Sequence, residues 1–452
     1  MTFQKALILS LGLFASPLAA QDSTIISPAQ LFAISSQALS DGQAQAAARG
    51  ADVLLQRDPQ DVAALVLRTR AALEMGDYQT ATDTAQRGFF AANTDLASFT
   101  TARLAARAHA ELKQDTRAQL WLRLASQFAP DSDNAEAIAR DYQFLRRRNP
   151  WSTSLRFGVT PTSNANNGSA KSSTQLFGLP FVFALDGEAR ALAGYEFSGG
   201  FTTTYRLAIT DTSATFIDIN ANARTYLLSS EAQEQAPDAS GSDFSDATVS
   251  VGLTHRFIIS PGALPSTARF RLGQTWYGGE ANTRFVEVSG AHAWAITPSD
   301  RVGLTVSFRN TESLLDQDPQ KNTTISPSWT HTFASGDSSH LGYTFSRNIS
   351  DTLDSDFTSN KISADYSFAK PVFGINFGFG LDLEDRQFDG SRFAPGERLD
   401  QTVTARIRAV VSDVEYFGFK PVVSLEAKRT ESSIDLFDRD YFNVGFDLQS
   451  SF

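Results

Sequence analysis

The sequence contains no cysteine. Without a thiol there is no disulfide, no thiolate metal site and no acylated lipoprotein terminus. Histidine is nearly as scarce: His109, His255, His292, His331 and His340 stand too far apart for a zinc motif. Positive charge is in deficit, with 39 Lys and Arg against 50 Asp and Glu and a formal net charge of −11. That balance excludes the basic surface a nucleic-acid partner requires. After Phe14 no apolar run approaches the roughly 20 residues of a membrane-spanning helix. This excludes helical spans but not a barrel, whose strands carry only an alternating signal. Nucleotide-binding glycine loops and a G-x-S-x-G elbow are also missing. Gly336-Asp337-Ser338 reads as a hairpin turn rather than a hydrolase nucleophile. Asp382, Glu384, Asp385 and Asp389 read as a solvated surface loop, since they lack the ligand order of a calcium loop, with a lumen-lining carboxylate near Arg386 as an equally ordinary feature of a polar barrel interior. No catalytic, cofactor-binding or metal-ligating residue is expected.

What is abundant is phenylalanine, 35 residues against 2 methionines. Aromatics in that proportion fit the interfacial girdles of a membrane protein. The first residues are consistent with secretion. Lys5, the apolar stretch Ala6 to Phe14, and Pro17-Leu18-Ala19-Ala20 before Gln21 have the layout of a signal peptide, residues 1–20.

Residues 21–148 read as a periplasmic helical domain. Leu65, Leu67, Ala71, Ala72 and Met75 recur at helical spacing. Gly42 and Gly76 are 34 residues apart, and Ala47/Ala81 and Ala51/Ala85 share that offset. This is the period of a tetratricopeptide-like helix pair. Tyr78 follows the second turn, and small alanines allow close helix approach. A third pair is expected from Leu104 to Leu112 and Leu120 to Phe128, ending near Pro130, with Asp133 to Arg148 as a polar cap. A concave solenoid face would hold a client protein segment.

At Trp151 the period becomes two. Trp151, Leu155 and Phe157 alternate with polar residues, and Phe442, Val444, Phe446 and Leu448 do so at the other end. Twelve similar segments lie between them, with Leu176 to Leu185 as an additional candidate. The expectation for residues 149–452 is an antiparallel transmembrane β-barrel of about 14 strands, with short turns at one end and long loops at the other. Lipid offers no hydrogen-bond partners, so such strands must close on themselves. The long loops are expected at Ser230 to Asp246, Ser313 to Lys321 and Glu384 to Asp400. The lumen is expected to be lined mostly by Ser, Thr and Asn. Tyr441, Phe446 and Phe452 make a candidate signal for the barrel-assembly machinery, which a terminal strand could engage by edge addition. The fold class is therefore α plus all-β, with the outer-membrane bilayer of a Gram-negative cell as the first partner.

Asn149-Pro150-Trp151 leading into Asn164-Ala165-Asn166-Asn167-Gly168, and Ser432-Ser433-Ile434-Asp435-Leu436-Phe437-Asp438 leading into the last strand, resemble the surface lipoprotein assembly modifier family. The resemblance implies periplasmic tetratricopeptide repeats, a fourteen-stranded barrel and delivery of proteins, typically lipoproteins, to the cell surface. The first and last strands, Trp151 to Val159 and Tyr441 to Phe452, would then form a seam that opens. Gly158 and Gly445 mark positions where those strands lose packing. A polysaccharide exporter and a simple diffusion pore are the competing readings of the same architecture.

Overall fold

The computed structural model describes residues 26–315, 318–412, 414 and 419–450. The candidate signal peptide and Phe452 lie outside them. The chain divides into two compact units, one ending at Leu112 and one beginning at Lys113.

The first unit contains five helices: α1 (Pro28–Ser40), α2 (Ala44–Arg57), α3 (Val62–Glu74), α4 (Tyr78–Ala91) and α5 (Asp95–Glu111). Their boundaries follow from local chemistry. Ser27 and Gln30 form a reciprocal capping box ahead of Pro28, and Asp61, Asp77 and Thr94 cap the next starts through backbone N–H groups three residues on. Gly42 and Gly76 occupy positive φ, 78° and 74°, in the turns that close the two helix pairs. Ala47, Ala51, Ala81 and Ala85 are all buried, and Thr69 and Thr84 share a buried hydroxyl hydrogen bond of 2.8 Å. Larger side chains in those alanine positions would overpack the helix contacts by about 1–3 kcal/mol. After α5 the left-handed position falls to Lys113, at φ 58°.

The second unit opens with α6 (Asp115–Ser126) and α7 (Ser132–Arg148), which cross through a hydrogen bond of 2.9 Å from Arg123 to the Tyr142 hydroxyl and an Arg148–Asp115 ion pair. β1 (Trp151–Thr162) follows at once. A long loop then carries a two-stranded ribbon, β2 (Ser173–Thr174) and β3 (Phe183–Ala184). Thirteen further strands complete the wall: β4 (Gly194–Ile209), β5 (Ser213–Leu228), β6 (Asp246–Phe257), β7 (Ser266–Tyr277), β8 (Glu280–Ala295), β9 (Asp300–Ser313) and β10 (Gln320–Thr332) come first. β11 (Ser338–Ile349), β12 (Phe357–Ser367), β13 (Ile375–Phe388), β14 (Arg398–Val411), β15 (Phe419–Ser432) and β16 (Arg439–Ser450) follow. Each pairs with its sequence neighbour, and β1 meets both β4 and β16, so the sheet closes as a fourteen-stranded antiparallel barrel. No described helix is long and apolar enough to cross a membrane.

The outer face carries a broad apolar band. Leu155, Phe157, Leu253, Phe270, Val288, Val306, Ile325, Leu341, Ile362, Leu381, Val403, Phe442 and Phe446 all lie exposed on it. In water such a continuous surface is unsustainable; in hydrocarbon it is the solvated state. A belt of rings marks the short-turn rim. Trp151 packs on Tyr205, His292 on Trp294, and Trp329, His331, Phe333, Tyr366 and Phe368 form a chain of neighbours with centroids 4.6–5.9 Å apart. His292 belongs to this girdle.

Three expectations need correction. Leu176 to Leu185 is no wall strand; its end contributes only to the ribbon in the first long loop. Asp382, Glu384 and Asp385 do not form a solvated loop, because β13 runs on to Phe388 and shortens the loop to residues 389–397. Asp382 and Glu384 face the lumen, where Lys361 and Arg406 neutralise the first and Arg386 the second. The lumen is not merely a hydroxyl and amide surface. Alternation places Arg156, Arg224, Arg256, Arg269, Arg271, Arg301, Arg309, Lys361, Arg386, Arg398, Arg406, Arg408, Lys428 and Arg439 on it. Glu196, Asp218, Asp246, Glu287, Asp365, Asp382, Glu384, Asp400, Glu426 and Asp447 share that face. An acidic chain thus encloses a basic lumen.

Candidate functional site: the barrel seam

The first strand has two unequal edges. Toward β4 it is laddered from Trp151 opposite Tyr205 to Thr162 opposite Gly194, without a gap. Toward β16, pairing among the described residues is confined to Gly158–Asp447, Val159–Phe446 and Thr162–Asn443. Two causes are visible. Pro161 has no N–H to give to the ladder. From Phe157 toward Trp151, β1 runs on without forming ladder pairs to Leu448, Gln449 or Ser450. Unpaired strand edges are a standing invitation to another strand.

Asp447 shapes the pairing that does occur. A side chain at Gly158 would place its Cβ 2.4 Å from Asp447 Oδ1 and 2.8 Å from Ser198 Oγ, so the aspartate crosses the seam because residue 158 is glycine. At Gly445 a Cβ would meet Ser424 Oγ at 2.3 Å. Both glycines permit close approach.

The long-loop end of the seam is clasped. Ser163 N donates to the Phe442 carbonyl at 3.3 Å, and Phe442 N donates to Ser163 Oγ at 2.8 Å. Asn164 bridges its own loop and the opposite strand, donating to the carbonyls of Gly168 at 3.0 Å and Asp440 at 3.4 Å. Ala170 N donates to the Asp438 carbonyl at 2.8 Å, Ser169 Oγ to the Asp435 carbonyl at 3.0 Å, and Lys171 pairs with Asp438 at 3.4 Å. The asparagine-rich segment and the serine-containing loop, more than 260 residues apart in sequence, therefore meet here.

A second layer backs the clasp. The Arg398 guanidinium lies 3.5 Å from the Phe388 ring centroid and 3.8 Å from that of Phe437, and pairs with Asp354 at 3.0 Å and Asp400 at 3.2 Å. Asp354 also accepts from Arg392 and from Ser391 Oγ. Burial alone would raise its pKa, but the Arg392 and Ser391 hydrogen bonds and Arg398 outweigh it and hold the carboxyl below its ordinary range.

At the opposite end, α7 delivers the chain to the wall. Asn149 Oδ1 accepts from Trp151 N at 2.9 Å, while its amide donates to Thr116 Oγ1 and Gln119 Oε1 on α6. Arg206 of β4 donates to the carbonyls of Arg147 and Arg148. Beside the seam, on the lumen side, lies a cavity of about 830 Å³. Arg156, Arg224 and Arg408 line it with Ser154, Asn222, Ser424, Asp246 and Asp447.

Of the residues singled out in sequence, Leu155, Phe157, Phe442, Val444, Phe446 and Leu448 share the outer face of the seam strands, and Trp151 lies in the rim belt. Tyr441 differs from Phe446: it faces the lumen, with its hydroxyl bonded to Asn443. Gly42, Ala47, Ala51, Gly76, Tyr78, Ala81 and Ala85 lie in the first unit, in or beside α2 and α4. Missed in sequence were Arg156, Arg224, Arg408 and Asp447. Their positions within the alternation were the available signal. Among the described residues no group of His, Asp and Glu could hold a metal ion.

No protein-family model matches the chain, and no curated protein does. The surface lipoprotein assembly modifier resemblance therefore gains no support from relatives. Solved barrels align with low similarity. A loop-deletion mutant of the Vibrio cholerae outer-membrane protein OmpT aligns at 8% identity and TM-score 0.32, over 67% of this chain and 99% of that one. Outer membrane protein opdK of Pseudomonas aeruginosa aligns at 8% and 0.30, over 66% and 97%. A KdgM porin in complex with disordered oligogalacturonate aligns at 13% and 0.26, over 45% and 92%. Likeness at this level carries no functional argument. Closure of the sheet and the apolar outer face do carry one, for location. The chain is a Gram-negative outer-membrane β-barrel protein whose barrel is preceded in sequence by a helical region.

Proposed function

We propose that the protein is a translocator that helps deliver a protein client, in the first instance a lipoprotein, from the periplasm to the cell surface. The helical repeats receive the client, and the barrel provides the route through the seam between β1 and β16. The observation that carries this reading is the asymmetry of β1, laddered along one edge and pinned at a few positions along the other. Each ladder hydrogen bond left out removes roughly 0.5–1.5 kcal/mol of closure, and in lipid a strand edge without partners is under pressure to find them.

The test uses the absence of native cysteine. Phe157→Cys with Leu448→Cys places one thiol on each side of the unlatched stretch. Oxidative cross-linking is expected to abolish surface display of the client, measured by comparing surface proteomes with a reduced control. Undiminished display in the cross-linked form defeats the seam route.

A second reading is a passive pore, and the basic lumen favours it. Deleting residues 21–148 separates the two. A pore keeps its conductance in planar bilayers without that region, whereas a translocator loses its client.

A further inference from the structure

The barrel sorts its charge. The whole chain is acidic, yet among the charged residues that alternation sends inward, basic ones outnumber acidic ones. Beside the seam, Arg156 of β1, Arg224 of β5 and Arg408 of β14 line one cavity. Two carboxylates share the lining. Asp246 is engaged by Arg224 at 2.9 Å, and Asp447 sits across from Gly158. Arg156 makes no hydrogen bond or ion pair among the described residues, and it is exposed. A fixed cation on a low-dielectric wall raises the local concentration of anions. The guanidinium fork binds carboxylates bidentately, as it does phosphates.

The cavity has a second property. It lies against the stretch of β1 around Leu155 to Phe157 that is not laddered to β16, so backbone N–H and C=O groups border the arginines. An edge of that kind recognises an extended polypeptide backbone. A phosphate polymer, or a sugar polymer without amides, has no peptide N–H groups to continue a β-ladder.

We propose that the seam cavity is a docking station for an extended acidic polypeptide segment. Aspartate or glutamate side chains of the segment engage Arg156 and Arg408 while its backbone adds to the free edge of β1. The inference rests on the translocator reading only in taking the client to be a polypeptide. It deepens that reading by naming an acidic, extended segment as what the barrel holds.

The experiment is a binding titration on the full-length protein in detergent micelles, with fluorescein-labelled decaglutamate followed by anisotropy. The expected result is saturable binding that weakens about tenfold in the Arg156→Gln/Arg408→Gln variant and falls steeply with added salt. The Arg269→Gln variant, altered on another part of the lumen face, is expected to bind like the parent. Inorganic polyphosphate of equal charge is expected to compete at least about tenfold less well. Equal competition by polyphosphate overturns the polypeptide assignment in favour of a general polyanion path. Absence of binding, or unchanged affinity in the double variant, overturns the site. If the double variant fails to show the heat-modifiable migration of a folded barrel, Arg156→Lys replaces it; loss of the fork with retention of charge is expected to weaken binding about threefold, and unchanged affinity overturns the site. Because the titration uses purified protein, its failure is distinguishable from failure of the cross-linking test, which reads transport in cells.

Discussion

The two edges of β1 are made by the same twelve residues, yet one is closed along its length and the other is held near a single end. Neither strand propensity nor hydropathy distinguishes them, since each residue contributes to both edges. The difference comes from the partners. β4, 16 residues long, pairs with all twelve residues of β1, whereas β16, itself twelve residues long, pairs with it only at Gly158, Val159 and Thr162. A strand can thus be ordinary in sequence and specialised in closure. Beyond the paired end, loops extend the hold: Asn164, Ser169, Ala170 and Lys171 engage Asp435, Asp438 and Asp440, and the opposite end of the edge stays without ladder pairs.

Four substitutions sharpen this contrast, in descending order of effect. Gly194→Val acts on the well-laddered side. Any Cβ there would lie 2.3 Å from the Leu227 carbonyl oxygen, a backbone atom that cannot turn aside. The variant is expected to lose the folded, heat-modifiable form on gel electrophoresis altogether. Asp354→Ala removes the carboxylate that Arg392, Arg398 and Ser391 share. It leaves Arg398 between two rings with a reduced ion pair, at a cost of about 1–3 kcal/mol, read as faster hydrogen exchange in residues 389–397.

The same carboxylate sets a pH dependence. Its pKa is lowered in the folded protein, so its stabilisation is present above the unfolded carboxylate value and is lost only as pH falls through the lower folded value. Exchange protection of that loop is therefore expected to be flat from pH 7 to pH 5 and to fall in stronger acid. A midpoint near neutrality would remove Asp354 from the clasp.

Asn164→Ala deletes the side-chain bridge between the asparagine-rich segment and the last strand. Roughly 1 kcal/mol is expected, seen as selective loss of protection at Ala170 N, whose acceptor is the Asp438 carbonyl. Gly158→Ala is the mildest. Its Cβ meets the far ends of Asp447 and Ser198, which can rotate away. Barrel thermal stability is expected to change by less than about 1 kcal/mol, while cross-linking between Phe157→Cys and Leu448→Cys slows. Equal slowing by Ala substitution at Gly199, on the β4 side, would show that the seam has no special looseness.

Much of the fold was legible. Period-two alternation after Trp151 marked the wall, and the 34-residue offset of Gly42 and Gly76 marked the paired helices. The errors have physical causes. Leu176 to Leu185 is apolar enough for a strand, but it sits in a loop where Phe177 N donates to the Phe393 carbonyl and where ribbon pairing ends after two residues. Asp382 and Glu384 looked like loop residues because three acids in four positions resemble solvent. In the barrel they are strand residues: Asp382 is neutralised by Lys361 and Arg406 on adjacent strands, and Glu384 by Arg386 on its own. Composition cannot show a cross-strand ion pair.

The candidate site was half legible. Alternation identified which face each seam residue takes, and glycine marked the close approaches. It could not show that the asparagine-rich segment and the serine loop touch, or that Tyr441 and Phe446 face opposite ways relative to lipid, until register was known.

By itself, the order of residues determined the membrane, the closure and the two-part architecture, because a side chain's preference for hydrocarbon or water is local and repeats every second position. Only the tertiary structure decided where the barrel is weakly joined and where its arginines gather. Both depend on which strands become neighbours, and pairing between the two ends of a three-hundred-residue wall is written in no short stretch of chain.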